Sequence, residues 1–136
     1  MKKVLVVDGQ GGKIGRSLVA QLVKYPELIE VIAVGTNSIA TSNMIKGGAV
    51  HAATGENSIV VMARRADIIA GPIGIIIADA LLGEITPAAA TAISSSDAVR
   101  VLLPMNKCDT VVIGVQEMSL TAMVDSAVET ILEIAK

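Results

Sequence analysis

The sequence predicts an α/β fold, a doubly wound sandwich on a mostly parallel sheet of five to six strands. Three observations carry this. Short β-branched runs alternate with helix-like segments along the chain, the pattern of a parallel sheet with crossover helices. Glycines cluster directly after the first apolar run, where a strand must turn sharply into a helix. And 52% of the residues are apolar, which suits strands covered on both faces or a buried subunit interface.

The elements follow in order. Lys3–Val7 reads as the first strand, and Gly12–Tyr25 as a helix with Ile14, Leu18, Val19, Leu22 and Val23 on one face. Pro26 ends it. Glu30–Val34 is the second strand, and Ser38–Lys46 the second helix, stopped by Gly47-Gly48. Ala49–Ala53 reads as a weak third strand, Asn57–Ala66 as a helix and Asp67–Ala70 as a short buried strand. Gly71-Pro72 and Thr86-Pro87 each signal a helix start, with proline in the first turn. Ala98–Leu103 is the fifth strand. Thr110–Val115 reads as a sixth, reached by so short a link that it turns back antiparallel at an edge. In the last helix Leu120, Met123, Val124, Ala127, Val128, Ile131 and Leu132 form one apolar stripe, with Asp125, Glu129 and Glu133 opposite.

Composition narrows the function classes. A chain of 136 residues makes one domain, 1–136, with no room for a second substrate domain of ordinary size. The single cysteine, Cys108, excludes an internal disulfide and points to a reducing, cytoplasmic location. The apolar run after Met1-Lys2-Lys3 is too short for a signal peptide. The stretch Ile68–Leu82 is broken by Gly71, Pro72, Gly74 and Asp79 and falls short of the ~20 residues of a membrane helix. A net charge of −2 without a basic run, and Tyr25 as the sole aromatic, argue against nucleic acid as a partner. The aliphatic content favours a homo-oligomer.

The chemistry concentrates after the first strand, in Asp8-Gly9-Gln10-Gly11-Gly12-Lys13-Ile14-Gly15. Glycines at 9, 12 and 15 between a strand and a helix would allow a tight turn, close approach of a pyrophosphate and close helix packing. The helix N-terminus would face the anion, with Lys13 and Arg16 at the rim. Such turns also occur without any ligand. Asp8 complicates the picture, because a carboxylate repels a phosphate. Either a Mg²⁺ ion bridges the two, or Asp8 meets a ribose-like hydroxyl, or it bonds the N–H groups of its own turn.

Further polar loops fall at the same sheet edge, where open α/β sheets bind ligands. Gly35, Thr36, Asn37 and Ser38 follow the second strand, with no Asp or Glu for ribose hydroxyls and no arginine for a 2′-phosphate. They can meet a ribose or simply cap the helix. Neither NAD nor NADP is selected. Glu56, in Thr54–Asn57, can be an acid, a base, a metal ligand or a first-turn acid complementing the helix dipole. Gly71-Pro72 can form a second phosphate-binding turn or a constrained helix start. Lys107 can pair with an anion or with Asp8, and Cys108 reads as a buried thiol. His51, the sole histidine, reads as structural; no zinc spacing or catalytic triad forms around it. An acidic phosphorylation site is also excluded, since Gly9 and Thr54 stand where further acidic residues would be needed.

The run GQGGKIGR resembles the glycine fingerprint of dihydrodipicolinate reductase and related pyridine-nucleotide reductases, which implies that the loop holds a cofactor pyrophosphate. That resemblance covers about the first 25 residues. The reductase's histidine- and lysine-bearing substrate motif and its second domain have no counterpart here, so the enzyme identity is rejected and only the loop retained. Over the full length, VVDGQGGKIG, AVGTNSIATS, ATGEN, GPIGII, GEITPA and LLPMNKC resemble a small bacterial, Rossmann-like family of unknown function.

Three functions remain on this reading. The first is a nucleotide- or dinucleotide-binding domain of unspecified reaction, with phosphate on Gly9–Gly15 and NAD, NADP or Mg²⁺ as candidate cofactors. The second is a non-catalytic nucleotide or acyl-coenzyme A sensor. The third is an oligomeric structural protein whose glycines only turn the chain. No catalytic residue and no metal site is assigned.

Overall fold

A computed structural model describes residues 1–105 and 109–136. The first apolar run becomes β1 (Lys2–Asp8), in which Val4, Leu5, Val6 and Val7 are all fully buried. A strand apolar on both sides must be covered on both faces, and it is. Val4 and Val6 pack with Ile14, Leu18, Leu22 and Ile131 on one side of the sheet. Leu5 and Val7 pack with Ile59, Ala63, Ile85 and Ile93 on the other.

All of these partners except Ile85, which lies just before a helix, come from helices in chain order. β1 is followed by α1 (Lys13–Leu22), β2 (Ile29–Gly35), α2 (Ser38–Lys46), β3 (His51–Thr54), α3 (Glu56–Arg65), β4 (Ile68–Pro72), α4 (Pro87–Ser94), β5 (Val99–Leu103) and α5 (Leu120–Ala135). Helices α1, α2 and α5 cover one face; α3 and α4 cover the other. The strands run parallel in the order β3-β2-β1-β4-β5. The chain thus builds outward from β1 to β3, then returns to the other side of β1. Val4 pairs with Val31 on one side and Ile68 on the other. The order reverses between β1 and β4, and a crevice opens beyond their carboxyl ends at such a reversal.

Local signals account for most boundaries. Asn37 caps α2 by accepting the Ala40 N–H, Thr86 caps α4 through the Ala89 N–H, and Ser119 caps α5 through the Ala122 N–H. Pro87 opens α4 as the sequence predicts.

Two expectations fail. Thr110–Val115 forms no strand, so among the described residues there is no antiparallel edge strand and the five-stranded sheet is parallel throughout. Asp109 and Gly114 both adopt positive φ, 58° and 87°, which breaks an extended run at either end. The segment instead leads into α5 with Val111 and Ile113 exposed. Gly71-Pro72 does not begin a full helix either: both lie in β4, and a single 3-10 turn, Ile73–Ile76, follows. Gly71 and Pro72 pair with Leu102 and Leu103 of β5, which keeps the chain in the sheet through Pro72, and a β-carbon on Gly71 would collide with the Val7 carbonyl.

None of the described helices is long and apolar enough to cross a membrane. Ile131 lies fully buried against the sheet, whereas Val111 is 80% exposed. Urea denaturation of Ile131→Ala is expected to show a loss of about 2–5 kcal/mol. Val111→Ser should stay within about 0.5 kcal/mol of wild type; a larger loss would mean that the segment packs as a strand in solution.

Candidate functional site

At the end of β1 the Asp8 carboxylate turns inward. It is 2% exposed, and its two oxygens accept the N–H groups of Gly9 (2.8 Å) and Gly15 (2.7 Å). One carboxylate therefore spans the loop from its first residue to the third residue of α1, taking an N–H that every helix start leaves unpaired. Of the three roles open to Asp8 on sequence, the structure shows this one. Burial raises its pKa; the Gly15 and Gly9 N–H groups oppose the rise, the Glu84 charge adds to it, and the Ile14 N–H opposes it again.

A second carboxylate arrives from elsewhere. Glu84, in the connection between β4 and α4, places Oε1 within 2.9 Å of the Gln10 N–H, 2.6 Å of Thr36 Oγ1 and 2.7 Å of Asn37 Nδ2. Burial raises the Glu84 carboxyl, but the bonds from Thr36, Gln10 and Asn37 outweigh it and leave its pKa lowered. The loop carbonyls are held as well. Asn37 Nδ2 donates to the Gln10 carbonyl and Asn43 Nδ2 to the Gly11 carbonyl, while Arg16 donates to Asn43.

The glycines divide by role. A β-carbon on Gly9 would meet Thr36, Leu81 and Glu84 at 2.7–3.0 Å, and one on Gly15 would meet Met44 at 2.6 Å and Asp8 at 2.9 Å. Gly12, at φ +72°, lies 2.7 Å from the Ala40 backbone by the same measure. Each is required by packing. Gly11 differs: nothing lies within 4 Å of its missing β-carbon, and its φ is not positive.

Gly11 opens onto a cleft of about 310 Å³ lined by residues 8–14, Met105 and Leu120. Lys13 is exposed there, and Ile14 is buried in the wall. The other predicted residues are placed differently. Thr36 and Asn37 join the loop through Glu84, and Gly35 is buried against Thr41 of α2. Gly71 and Pro72 are buried in β4 and do not line the cleft. Glu56 is exposed in the first turn of α3, and His51 is exposed at the start of β3. Lys107 and Cys108 lie outside the described residues. Among the described residues no three His, Cys, Asp or Glu side chains come together to hold a metal ion.

Sequence reading missed Glu84, Asn43, Met105 and Leu120. The available signal for Glu84 was its position, an acid in the long connection leaving β4, beside the reversal in strand order.

The two carboxylates predict opposite pH trends. A raised folded-state pKa means that the Asp8 contribution is fully present below its unfolded pKa and is lost as pH rises through the folded value. The stability difference between wild type and Asp8→Asn should therefore narrow as pH rises from about 3.5 to 7. Glu84 behaves in reverse: its contribution is present above the unfolded pKa and lost as pH falls through the lowered folded value. The gap to Glu84→Gln should narrow on acidification. Urea midpoints across pH check both slopes.

No curated protein matches the chain. Residues 3–136 match the model of a family described as a domain of unknown function (DUF3842), and the chain belongs to that family.

Proposed function

We propose that this domain binds a nucleotide, with a ligand phosphate seated over Gly11–Lys13 at the start of α1. The observation that carries the reading is Gly11. It is the glycine of the loop that no contact within the described protein explains, and it faces an open cleft. An absent β-carbon beside a helix N-terminus suits an external anion that must approach the backbone closely. Asp8 and Glu84 occupy the N–H groups of Gly9, Gly15 and Gln10. Among the described residues those of Gly11 and Lys13 take no acceptor, and the exposed Lys13 ammonium stands beside them. The likeness of GQGGKIGR to the loops of pyridine-nucleotide reductases supports the same ligand class.

Size limits what the cleft encloses. Ligand pockets begin at about 300 Å³, so this one suits a phosphate with an adjoining sugar, and a dinucleotide would extend along the sheet edge. Of the described residues lining it, only Asp8 and Lys13 carry titratable groups, and both Asp8 oxygens are occupied. That favours a binding role.

A structural assembly has its own support. Val99 of β5 is exposed, as are Val111 and Ile113 in the segment leading to α5, and a hollow of about 350 Å³ is lined partly by Leu102, Met118 and Met123. This reading predicts an oligomer whose stability no nucleotide changes.

A thermal-shift screen against NAD(H), NADP(H), ATP, coenzyme A and S-adenosylmethionine, with and without Mg²⁺, separates the two. A nucleotide at about 100 times its Kd adds about 2.7 kcal/mol, a rise of several degrees in Tm for a domain of this size. Gly11→Asp should abolish the rise while leaving the ligand-free Tm within about 2 °C of wild type. Gly12→Asp cannot make this distinction, because its side chain would strike the Ala40 backbone and unfold the loop. No shift with any of these ligands would remove the nucleotide reading.

A further inference from the structure

We propose that Glu84 reads the sugar of the bound nucleotide, accepting its free hydroxyls and refusing a phosphate ester in the same place. This rests on the nucleotide reading above and adds a specificity to it.

In a dinucleotide-binding sheet, an acid at the end of the second strand accepts the ribose hydroxyls. Here β2 ends in Gly35, followed by Thr36 and Asn37, and supplies no acid. Yet a carboxylate lies directly on those residues, because Glu84 accepts from Thr36 Oγ1 and Asn37 Nδ2. The chemistry has been brought to the end of β2 by a different segment. The same oxygen accepts the N–H of Gln10, which lines the cleft next to Gly11. Glu84 does not itself line the cleft, so the sugar attached to a phosphate over Gly11 would extend past Gln10 to meet it.

The distribution of bonds on Glu84 matters more than their number. All three fall on Oε1, and among the described residues none falls on Oε2. A carboxylate has about four acceptor sites over its two oxygens and no donor when ionised. Oε2 thus offers acceptor capacity on a half-buried group that Thr36, Asn37 and Gln10 already hold in position. Hydroxyls fit it as donors. A 2′-phosphate brings negative charge to a carboxylate, and the Glu84, Thr36, Asn37 and Gln10 N–H cluster contains no cation to offset it. Arg16, nearby in the loop region, is engaged with Asn43.

The backbone presenting Glu84 supports a role beyond packing. Asp79, Leu81 and Leu82 all adopt left-handed φ (66°, 57° and 56°), and Gly83 follows at 87°. Left-handed φ is unfavourable for leucine and persists only where the surroundings enforce it. Leu81 is buried against Gly9, whereas Leu82 is 95% exposed. One leucine anchors the turn over the glycine loop, and the turn delivers Glu84 to the end of β2.

Isothermal titration with two ligand pairs tests this. NADH and NADPH differ by the 2′-phosphate, and ADP and 2′-deoxy-ADP by the 2′-hydroxyl. The wild-type protein should bind NADH at least about ten-fold tighter than NADPH, and ADP about ten-fold tighter than its deoxy analogue, the size expected for one hydrogen bond to a charged group. Glu84→Gln should reduce both ratios to within about three-fold, with NADPH binding improved. Gly11→Asp should weaken every nucleotide alike. If nucleotides bind but wild type shows neither preference, or Glu84→Gln leaves both ratios unchanged, Glu84 only braces the loop and the nucleotide reading survives alone. If no nucleotide binds wild type, both readings fall. The ADP pair needs only wild-type protein, so the inference stays testable if Glu84→Gln does not fold.

Discussion

The Asp8 carboxylate fixes the geometry on which the rest of the sheet edge depends. By accepting N–H groups from both ends of a seven-residue span, it sets where β1 stops and how α1 leaves it. The bond is made in a nearly solvent-free position, where an ionised carboxylate is unfavourable unless well bonded. Around it the loop is clamped by both polarities. Carboxylates hold its N–H groups, while the amides of Asn37 and Asn43 hold the carbonyls of Gln10 and Gly11. Because Asn43 lies in α2 and Asn37 caps it, the loop's shape is tied to the packing of α1 on α2, where Gly12 meets Ala40 and Gly15 meets Met44.

This internal satisfaction separates structure from recognition. A glycine loop at a helix start is usually read as a set of donors awaiting an anion. Here much of that capacity is spent inside the protein, and what remains among the described residues is narrow: the stretch around Gly11 and Lys13, and the second oxygen of Glu84. The same economy explains how a carboxylate can sit in a glycine loop at a helix start. Asp8 is the loop's own acceptor.

The fold was legible in the sequence because its elements are written in local patterns. The apolar run 4–7, the stripe through Leu120–Leu132 and the Thr86-Pro87 start each specify an element without reference to the rest of the chain. Where reading failed, the determinant was not local. Thr110–Val115 has strand-like residues, yet positive φ at Asp109 and Gly114 and the route into α5 decide its conformation. Gly71-Pro72 looks like a helix start, but pairing with Leu102 and Leu103 of β5 keeps it extended. The site divides in the same way. Residues 8–15 announce themselves by spacing, whereas Glu84 joins them across 74 positions of sequence and is ordinary in its own neighbourhood. Among the glycines, spacing favoured 9, 12 and 15, which serve packing; Gly11, outside that spacing, is the one left open.

The strand order also bears on the making of the protein. β1 lies in the middle of the sheet, so one of its edges is closed early by β2 and the other waits for β4, with Val4 facing Ile68. At about 5–20 residues per second, the ribosome needs roughly 3–13 s to travel between those partners. For that interval a fully apolar strand has an open edge, the kind of surface that templates pairing with another chain. Vectorial synthesis thus exposes the most aggregation-prone segment first and protects it late. The burden falls on α1 and α2 to shield one face of a half-built sheet until β4 arrives.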